Sequence, residues 1–153
     1  MNVISKKIES IGISLPEAPP TAAKYLPAVT VNNLVYTSGN DCRVDGQLMF
    51  KGKVGKDLTK EEGKLAARQT MLNLLSTLEK HLGSLDKIDR VVKILGFVNS
   101  AEDFKEQPYV LDGASEILED IFDEKGWSAR SAIGTSELPF GTPVEIEMIV
   151  KIK

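Results

Sequence analysis

The sequence holds one cysteine, Cys42, and one histidine, His81. A single thiol excludes an intrachain disulfide. A zinc site would need three or four ligands, drawn mainly from Cys and His, so no metal site is expected. A nucleophilic Cys–His pair would have to join these two residues. His81 falls near the end of a helical segment, where the helix dipole favours a cation, so a surface or capping role is expected for it and Cys42 reads as a bystander. No apolar run approaches the roughly 20 residues that span a bilayer. The first ten residues, MNVISKKIES, lack the apolar core and small-residue cleavage site of a secretory leader. The default expectation is a reducing cytoplasm. Strong charge of one sign is missing too. A net charge of −3 and a pI near 5.3 speak against nucleic acid or an anionic membrane as partner.

What is present is an ordinary soluble composition, 42% hydrophobic and 27% charged, over 153 residues. That fits one domain over 1–153 with room for a core. Val3, Ile4, Ile8 and Ile11 share a helical face and predict a short N-terminal helix. Residues 14–21 (SLPEAPPT) are Pro-rich and predict an extended lead-in, so 1–21 form a prelude to the domain. Residues 27–39 are β-branched and aromatic around Asn32-Asn33, which predicts two short strands and a turn. Val44-Asp45-Gly46 predicts another turn, followed by a brief strand over 47–50.

Thr59 and Glu62 have the spacing of a capping box. Ala67, Met71, Leu74, Leu75, Leu78 and Leu82 then form an apolar stripe, and Gly83 suits a helix C-cap, so a helix is predicted over 60–82. Residues 91–98 are apolar on both faces and predict a central strand. Pro108 predicts the first position of a second helix, with Val110, Ala114, Ile117, Leu118 and Ile121 on its buried face. Gly113 inside that helix costs roughly 1 kcal/mol relative to Ala and points to close packing against a neighbour. Residues 128–134 and 144–152 predict the last two strands. The final one alternates Val144, Ile146, Met148, Val150 and Ile152 against Glu145, Glu147, Ile149 and Lys151. This order predicts an α+β fold, with two helices on one face of a mixed or mostly antiparallel sheet. The face without helices, with Ile149 and one side of 91–98, would need covering by self-association.

Arg130 is the first candidate for chemistry. It lies in a strand among small residues (Ser128-Ala129-Arg130-Ser131-Ala132), and its planar fork suits a carboxylate or phosphate. If the last two strands pair as a hairpin across 135–142, Arg130 faces Glu145, and an ordinary cross-strand ion pair is the simpler reading. Thr37-Ser38-Gly39-Asn40 ends a strand with a hydroxyl and free backbone donors; it is either an anion-binding corner or a plain turn. Tyr25 is either a pocket wall or a half-buried edge of the core.

Together these residues resemble the RidA/YjgF family. Tyr25 followed by Tyr36-Thr37-Ser38-Gly39 is similar to that family's first motif. Ala129-Arg130-Ser131-Ala132, Leu138-Pro139 and Val144-Glu145-Ile146-Glu147 resemble its C-terminal signature. The long helix with Ala66-Ala67, and Val98-Asn99-Ser100 before Asp103-Phe104, also match. The N-terminal helix, Leu15-Pro16-Glu17-Ala18-Pro19 and Gly113-Ala114-Ser115 are similar to a longer branch of about 150 residues. The resemblance implies a chorismate-mutase-like (YjgF-like) α+β fold, three subunits closing their sheets into a trimeric barrel, and interfacial clefts. It implies that Arg130 grips a substrate carboxylate, Glu145 holds a water, and Ala132 offers its carbonyl to that water or to the imine nitrogen. Ser38 and Gly39 would line the pocket, with Tyr25 closing it from the neighbouring subunit.

The activity so implied is hydrolysis of 2-imino or enamine acids, such as 2-iminobutanoate and 2-iminopropanoate, to 2-keto acids and ammonia, with no cofactor. The partners would be a small carboxylate or imino acid and two further copies of the chain. A non-catalytic, regulatory carboxylate-binding trimer is the alternative. The family's older association with RNA cleavage and translation inhibition finds little here, because no basic stripe carries interleaved aromatics. Asn40 for glutamine, Ala132 for cysteine, Pro108, and Trp127-Ser128 where histidine is common all depart from the family pattern in ways that would reshape the pocket.

Overall fold

Residues 2–21 and 23–153 are described by the computed structural model of the chain. Helix α1, Val3–Ser10, is held at its start by Asp86, whose carboxylate accepts from the Val3 and Ile4 amides at 2.8 and 2.7 Å. Those amides have no partner inside the helix, so an acidic residue supplied from elsewhere in the chain satisfies them. Ile4 and Ile8 of the predicted apolar face pack on the core, while Val3 and Ile11 at its two ends stay exposed.

Strands β1 (Ala28–Val31) and β2 (Leu34–Thr37) form a hairpin with Asn32 in the left-handed region at φ 54°. A second, two-residue hairpin follows. Here β3 (Arg43–Val44) pairs with β4 (Gln47–Leu48) around Asp45 and Gly46, both at positive φ as a tight turn of this kind requires. The strand expected over 47–50 therefore stops at Leu48, and its partner β3 was absent from the sequence reading.

Helix α2, Lys60–Leu82, forms over the predicted range. The capping box is closed in both directions: the Glu62 amide donates to Thr59 Oγ1 at 3.1 Å, and the Thr59 amide donates to Glu62 Oε2 at 2.8 Å. Gly83 takes the left-handed conformation at φ 81° and ends the helix. Met71, Leu74, Leu75 and Leu78 are fully buried, each contributing roughly 1.5–3 kcal/mol. Buried polar residues share this helix. Thr70, Ser76 and Thr77 donate back to the carbonyls four residues earlier, which satisfies hydroxyls that have no access to water.

Strand β5 (Ile88–Asn99) is the longest, and helix α3 (Gln107–Phe122) carries Pro108 at its second position, one place later than predicted. Strands β6 (Ala129–Thr135) and β7 (Val144–Ile152) complete the sheet, ordered β1-β2-β7-β5-β6. The β5–β6 pair is parallel and the other pairs are antiparallel. The reason lies in the chain path: β5-α3-β6 is a strand–helix–strand crossover, which returns the chain in the same direction. The hairpin considered for the last two strands does not form, because β5 lies between them and Arg130 pairs with Ile94 instead of Glu145.

Both long helices lie on one face. Val144, Ile146, Met148 and Val150 of β7 and Ile94 and Val98 of β5 are buried beneath them. Two glycines permit the close approach. A side-chain carbon at Gly113 would sit 2.1 Å from the Lys64 carbonyl oxygen, and one at Gly96 would sit 2.2 Å from Leu111 Cδ1. The other face of the sheet shows exposed Val29, Val31, Tyr36 and Ile133, with Leu95, Phe97 and Ile149 half-buried among them.

Candidate functional site

The registers decide what meets what. Strand β2 runs beside β7 up to the pair Tyr36–Ile149. One step on, the Thr37 hydroxyl accepts the Met148 amide at 3.0 Å in place of a main-chain carbonyl. Pairing resumes at Asn40, which exchanges both main-chain hydrogen bonds with Ile146, at 2.9 and 3.0 Å. Ser38 and Gly39 are therefore looped out of the ladder, beside Glu145. Ser38 is held by its amide on the Pro27 carbonyl at 2.9 Å and by its hydroxyl on the Leu26 carbonyl at 2.6 Å. Gly39 lies tight against the Glu145 side chain. A side-chain carbon there would lie 3.0 Å from Glu145 Cδ.

Tyr25, Ser38, Gly39, Asn40 and Glu145 line one cavity of about 210 Å³. Tyr25 lines this wall within its own chain. Glu145 is half-buried, and no described residue donates a hydrogen bond to its carboxylate. Burial raises its carboxyl above the ordinary glutamate range, and the charges of Asp41 and Glu147 push it the same way. A carboxyl with a raised pKa facing a cavity is a candidate for general acid–base chemistry.

Arg130 and Ala132 lie elsewhere. Arg130 pairs with Ile94 in register and turns to the helix-covered side, where its Nη1 donates to Asp112 Oδ1 at 2.9 Å and to Ser115 Oγ at 3.1 Å. Glu145 is opposite Phe97, on the side without helices. The two residues thus sit on opposite faces of the sheet in one chain. Nη2 and Nε of Arg130 have no described partner, and β6 is the sheet's edge, so the rest of the fork is available past that edge. Ala132 pairs with Gly96 on the same edge strand.

Sequence reading missed Arg43, Asp41 and Phe140, which line the same cavity as Glu145. The only signal was the Asp45-Gly46 turn, which implies a strand on each side of it. His81 is an exposed residue whose Nε2 lies 2.8 Å from Thr30 Oγ1, while Cys42 is buried against the Phe50 carbonyl and Thr142. Neither faces the cavity. Among the described residues, no helix is long and apolar enough to cross a membrane.

The family model described as "YjgF/chorismate_mutase-like, putative endoribonuclease" matches residues 5–148. The chain belongs to the YjgF/RidA family. Protein TCP17 of Trypanosoma cruzi is 37% identical over 150 residues, 97% of this chain and 94% of that one. A 2-iminobutanoate/2-iminopropanoate deaminase of Dermatophagoides farinae is 33% identical over 142 residues, 92% of this chain and 95% of that one. The crystal structure of an Agrobacterium tumefaciens protein of unknown function superposes with a TM-score of 0.90 at 38% identity, covering 99% of this chain and 93% of the other. The α+β architecture with a mixed sheet is thus the YjgF/RidA fold.

Proposed function

We propose that this YjgF/RidA protein hydrolyses small 2-imino acids to 2-keto acids and ammonia, in a cleft that two copies of the chain build together. The observation that carries the reading is Glu145: an unpartnered, half-buried carboxyl with a raised pKa, set against Ser38 and Gly39 in a cavity. The deaminase of Dermatophagoides farinae supports the reaction class. The exposed apolar residues of the helix-free face support the assembly, a trimer in which those faces are buried. Such an assembly would bring the free side of Arg130 on β6 from one subunit to the cavity of the next.

The chemistry asks little of the protein. The carbon of a C=N bond is already electrophilic, so water needs placement and proton exchange more than a strong nucleophile. Arg130 binds the substrate carboxylate through its free fork. The water oxygen bonds to C2 while one water proton passes by way of Glu145 to the nitrogen, giving a carbinolamine; the remaining hydroxyl proton then passes by way of Glu145 to the nitrogen as the C2–N bond breaks, which releases ammonia and leaves the ketone. In this reading the Ala132 carbonyl of the edge strand accepts a hydrogen bond from the water or from the imine nitrogen. An endoribonuclease would need a cationic wall for phosphates. This wall carries Asp41 and Glu145 against one guanidinium, which favours the imine.

The test is release of ammonia and keto acid when a dehydratase supplies the imine, with calorimetry on a stable keto acid alongside. Wild type should accelerate hydrolysis, and Glu145→Gln should lower the rate by about 10²-fold or more while the keto acid still binds. A wild-type protein that binds the keto acid but gives no acceleration would leave a carboxylate-binding, regulatory protein instead.

A further inference from the structure

The cavity that holds Glu145 contains one guanidinium, that of Arg43, built into its wall with more support than an ordinary surface ion pair receives. Arg43 Nε donates to both Asp41 oxygens, at 3.1 and 2.9 Å. Its carbon Cζ lies 4.7 Å from the centre of the Phe140 ring, so the planar group is stacked as well as paired. The main chain beneath it is pinned from helix α2. Asn73, only 1% exposed, donates its amide to the carbonyls of Asp41 and Arg43 at 2.8 and 2.9 Å. Asn73 Oδ1 in turn accepts from Gln69 at 3.1 Å. A buried side-chain amide thus fixes two carbonyls, two residues apart, in one short segment leading into β3.

Phe140 adds to this picture. It is 64% exposed and sits at φ 61°, a conformation that costs a bulky residue on the order of 1–3 kcal/mol. Its loop is tied down by the Gly52 amide on the Gly141 carbonyl at 2.8 Å. The fold therefore holds Phe140, in a strained backbone conformation, with its ring against Arg43 in the cavity wall. Neutralising Asp41 alone would need none of this. The arrangement leaves Nη1 and Nη2 of Arg43, the end of the fork, without a described partner.

We propose that Arg43 is a specificity-determining residue that binds a second carboxylate on the ligand, so that the cleft prefers 2-imino and 2-keto diacids, the deamination states of acidic amino acids, over their monoacid counterparts. This rests on the carboxylate cleft proposed above. There Arg130 takes the carboxylate next to the reacting carbon and Arg43 takes the distal one. Asp41 orients the fork and Phe140 backs it, which lowers the ordering cost of a bidentate contact.

The experiment is calorimetry of the full chain with 2-oxobutanoate, 2-oxoglutarate and the cationic 2-oxo-5-guanidinopentanoate, on wild type, Arg43→Met and Arg43→Lys. Methionine keeps an apolar stem over Phe140, and circular dichroism checks the fold of each variant. Wild type should bind 2-oxoglutarate about tenfold or more tightly than 2-oxobutanoate. Arg43→Met should weaken 2-oxoglutarate by about tenfold or more beyond any loss for 2-oxobutanoate, which erases the preference, and Arg43→Lys should restore part of it. Equal binding of monoacid and diacid by wild type would overturn the inference while leaving the carboxylate cleft standing. So would an equal loss for both acids in Arg43→Met, or a preference for the cationic acid, which would make Asp41 the reader. Failure of wild type to bind any of the three would remove the carboxylate cleft itself, and this inference with it.

Discussion

Two regions of the molecule carry the charged groups that matter, and they are finished to different degrees. The cavity between β2 and β7 holds an acid with no partner, Glu145, beside an arginine half-used by Asp41. The groove between α3 and β6 holds a cation, Arg130, already engaged by Asp112 and Ser115 on one nitrogen. The first region has an acid and no cation for a ligand's reacting end. The second has the cation, with Asp112 among its lining carboxylates already tied to that cation, and lies away from Glu145. They lie on opposite faces of one sheet. Under the hydrolysis proposed above each would be half of a site, so assembly would be a condition of that chemistry, and an edge strand is where a carboxylate receptor would reach a second copy.

The difference can be broken most severely at Arg130. Arg130→Ala should weaken keto-acid binding by about 2–5 kcal/mol. It should hardly alter folding stability, because the Asp112 partner is 44% exposed and such pairs contribute at most about 1 kcal/mol. Urea titration and calorimetry read the two effects separately. Unchanged binding would confine Arg130 to its ion pair with α3.

Two glycine substitutions sharpen the comparison at the next level. Gly113→Ala drives a carbon into the Lys64 main-chain carbonyl, which cannot turn aside, and should cost about 3 kcal/mol by forcing α3 away from α2. Gly39→Ala meets only the end of the Glu145 side chain, which can swing, and should cost less than about 1 kcal/mol. It should nevertheless lower turnover, because the carboxyl is displaced. Denaturant midpoints and imine hydrolysis measured on both variants would show stability and activity falling in opposite order. A Gly39→Ala protein with full activity would mean that the position of Glu145 is unimportant.

The smallest expected effect is on stability against pH. The Glu145 carboxyl holds its proton more tightly folded than unfolded. As pH rises from the ordinary glutamate range, near 4.5, through the raised folded value, the unfolded chain releases that proton first. This contribution to folding stability therefore falls across that window and stays low above it. Glu145→Gln lacks this fall, so it should gain on the wild type in urea midpoints as pH rises above about 4.5. A difference that stays constant with pH would contradict a raised pKa.

How far these features were legible in the sequence follows the range of the interactions behind them. Helix α2 was read to its ends because its signals are local: Thr59 and Glu62 three residues apart, and a glycine after the last apolar position. The alternation of β7 was equally plain. Gly113 was read as a point of close packing, and the Lys64 carbonyl supplies the reason. Pairing across the sheet was not legible. The hairpin of β6 with β7 was a reasonable local reading, but a crossover helix before β6 puts that strand beside β5, and Arg130 then faces away from Glu145. Arg43 was invisible for another reason. Its strand is two residues long, and its support comes from Asn73, a polar residue on a helix whose stripe of leucines suggested that such residues face water. Asn73 is buried because the 41–43 loop covers it.

The central claim is that Arg130 of one copy and Glu145 of another complete each other, and mixing inactive chains tests it most directly. Arg130→Ala and Glu145→Gln proteins, each without hydrolytic activity alone, are unfolded together in equal amounts and refolded. In a mixed trimer, a cleft that draws its arginine from the Glu145→Gln chain and its glutamate from the Arg130→Ala chain is intact. Random assembly makes roughly one cleft in four of this kind. The account predicts that imine hydrolysis returns to about a quarter of the wild-type rate per cleft. A mixture as inactive as its two components, with mass measurements showing that mixed trimers have formed, would contradict it.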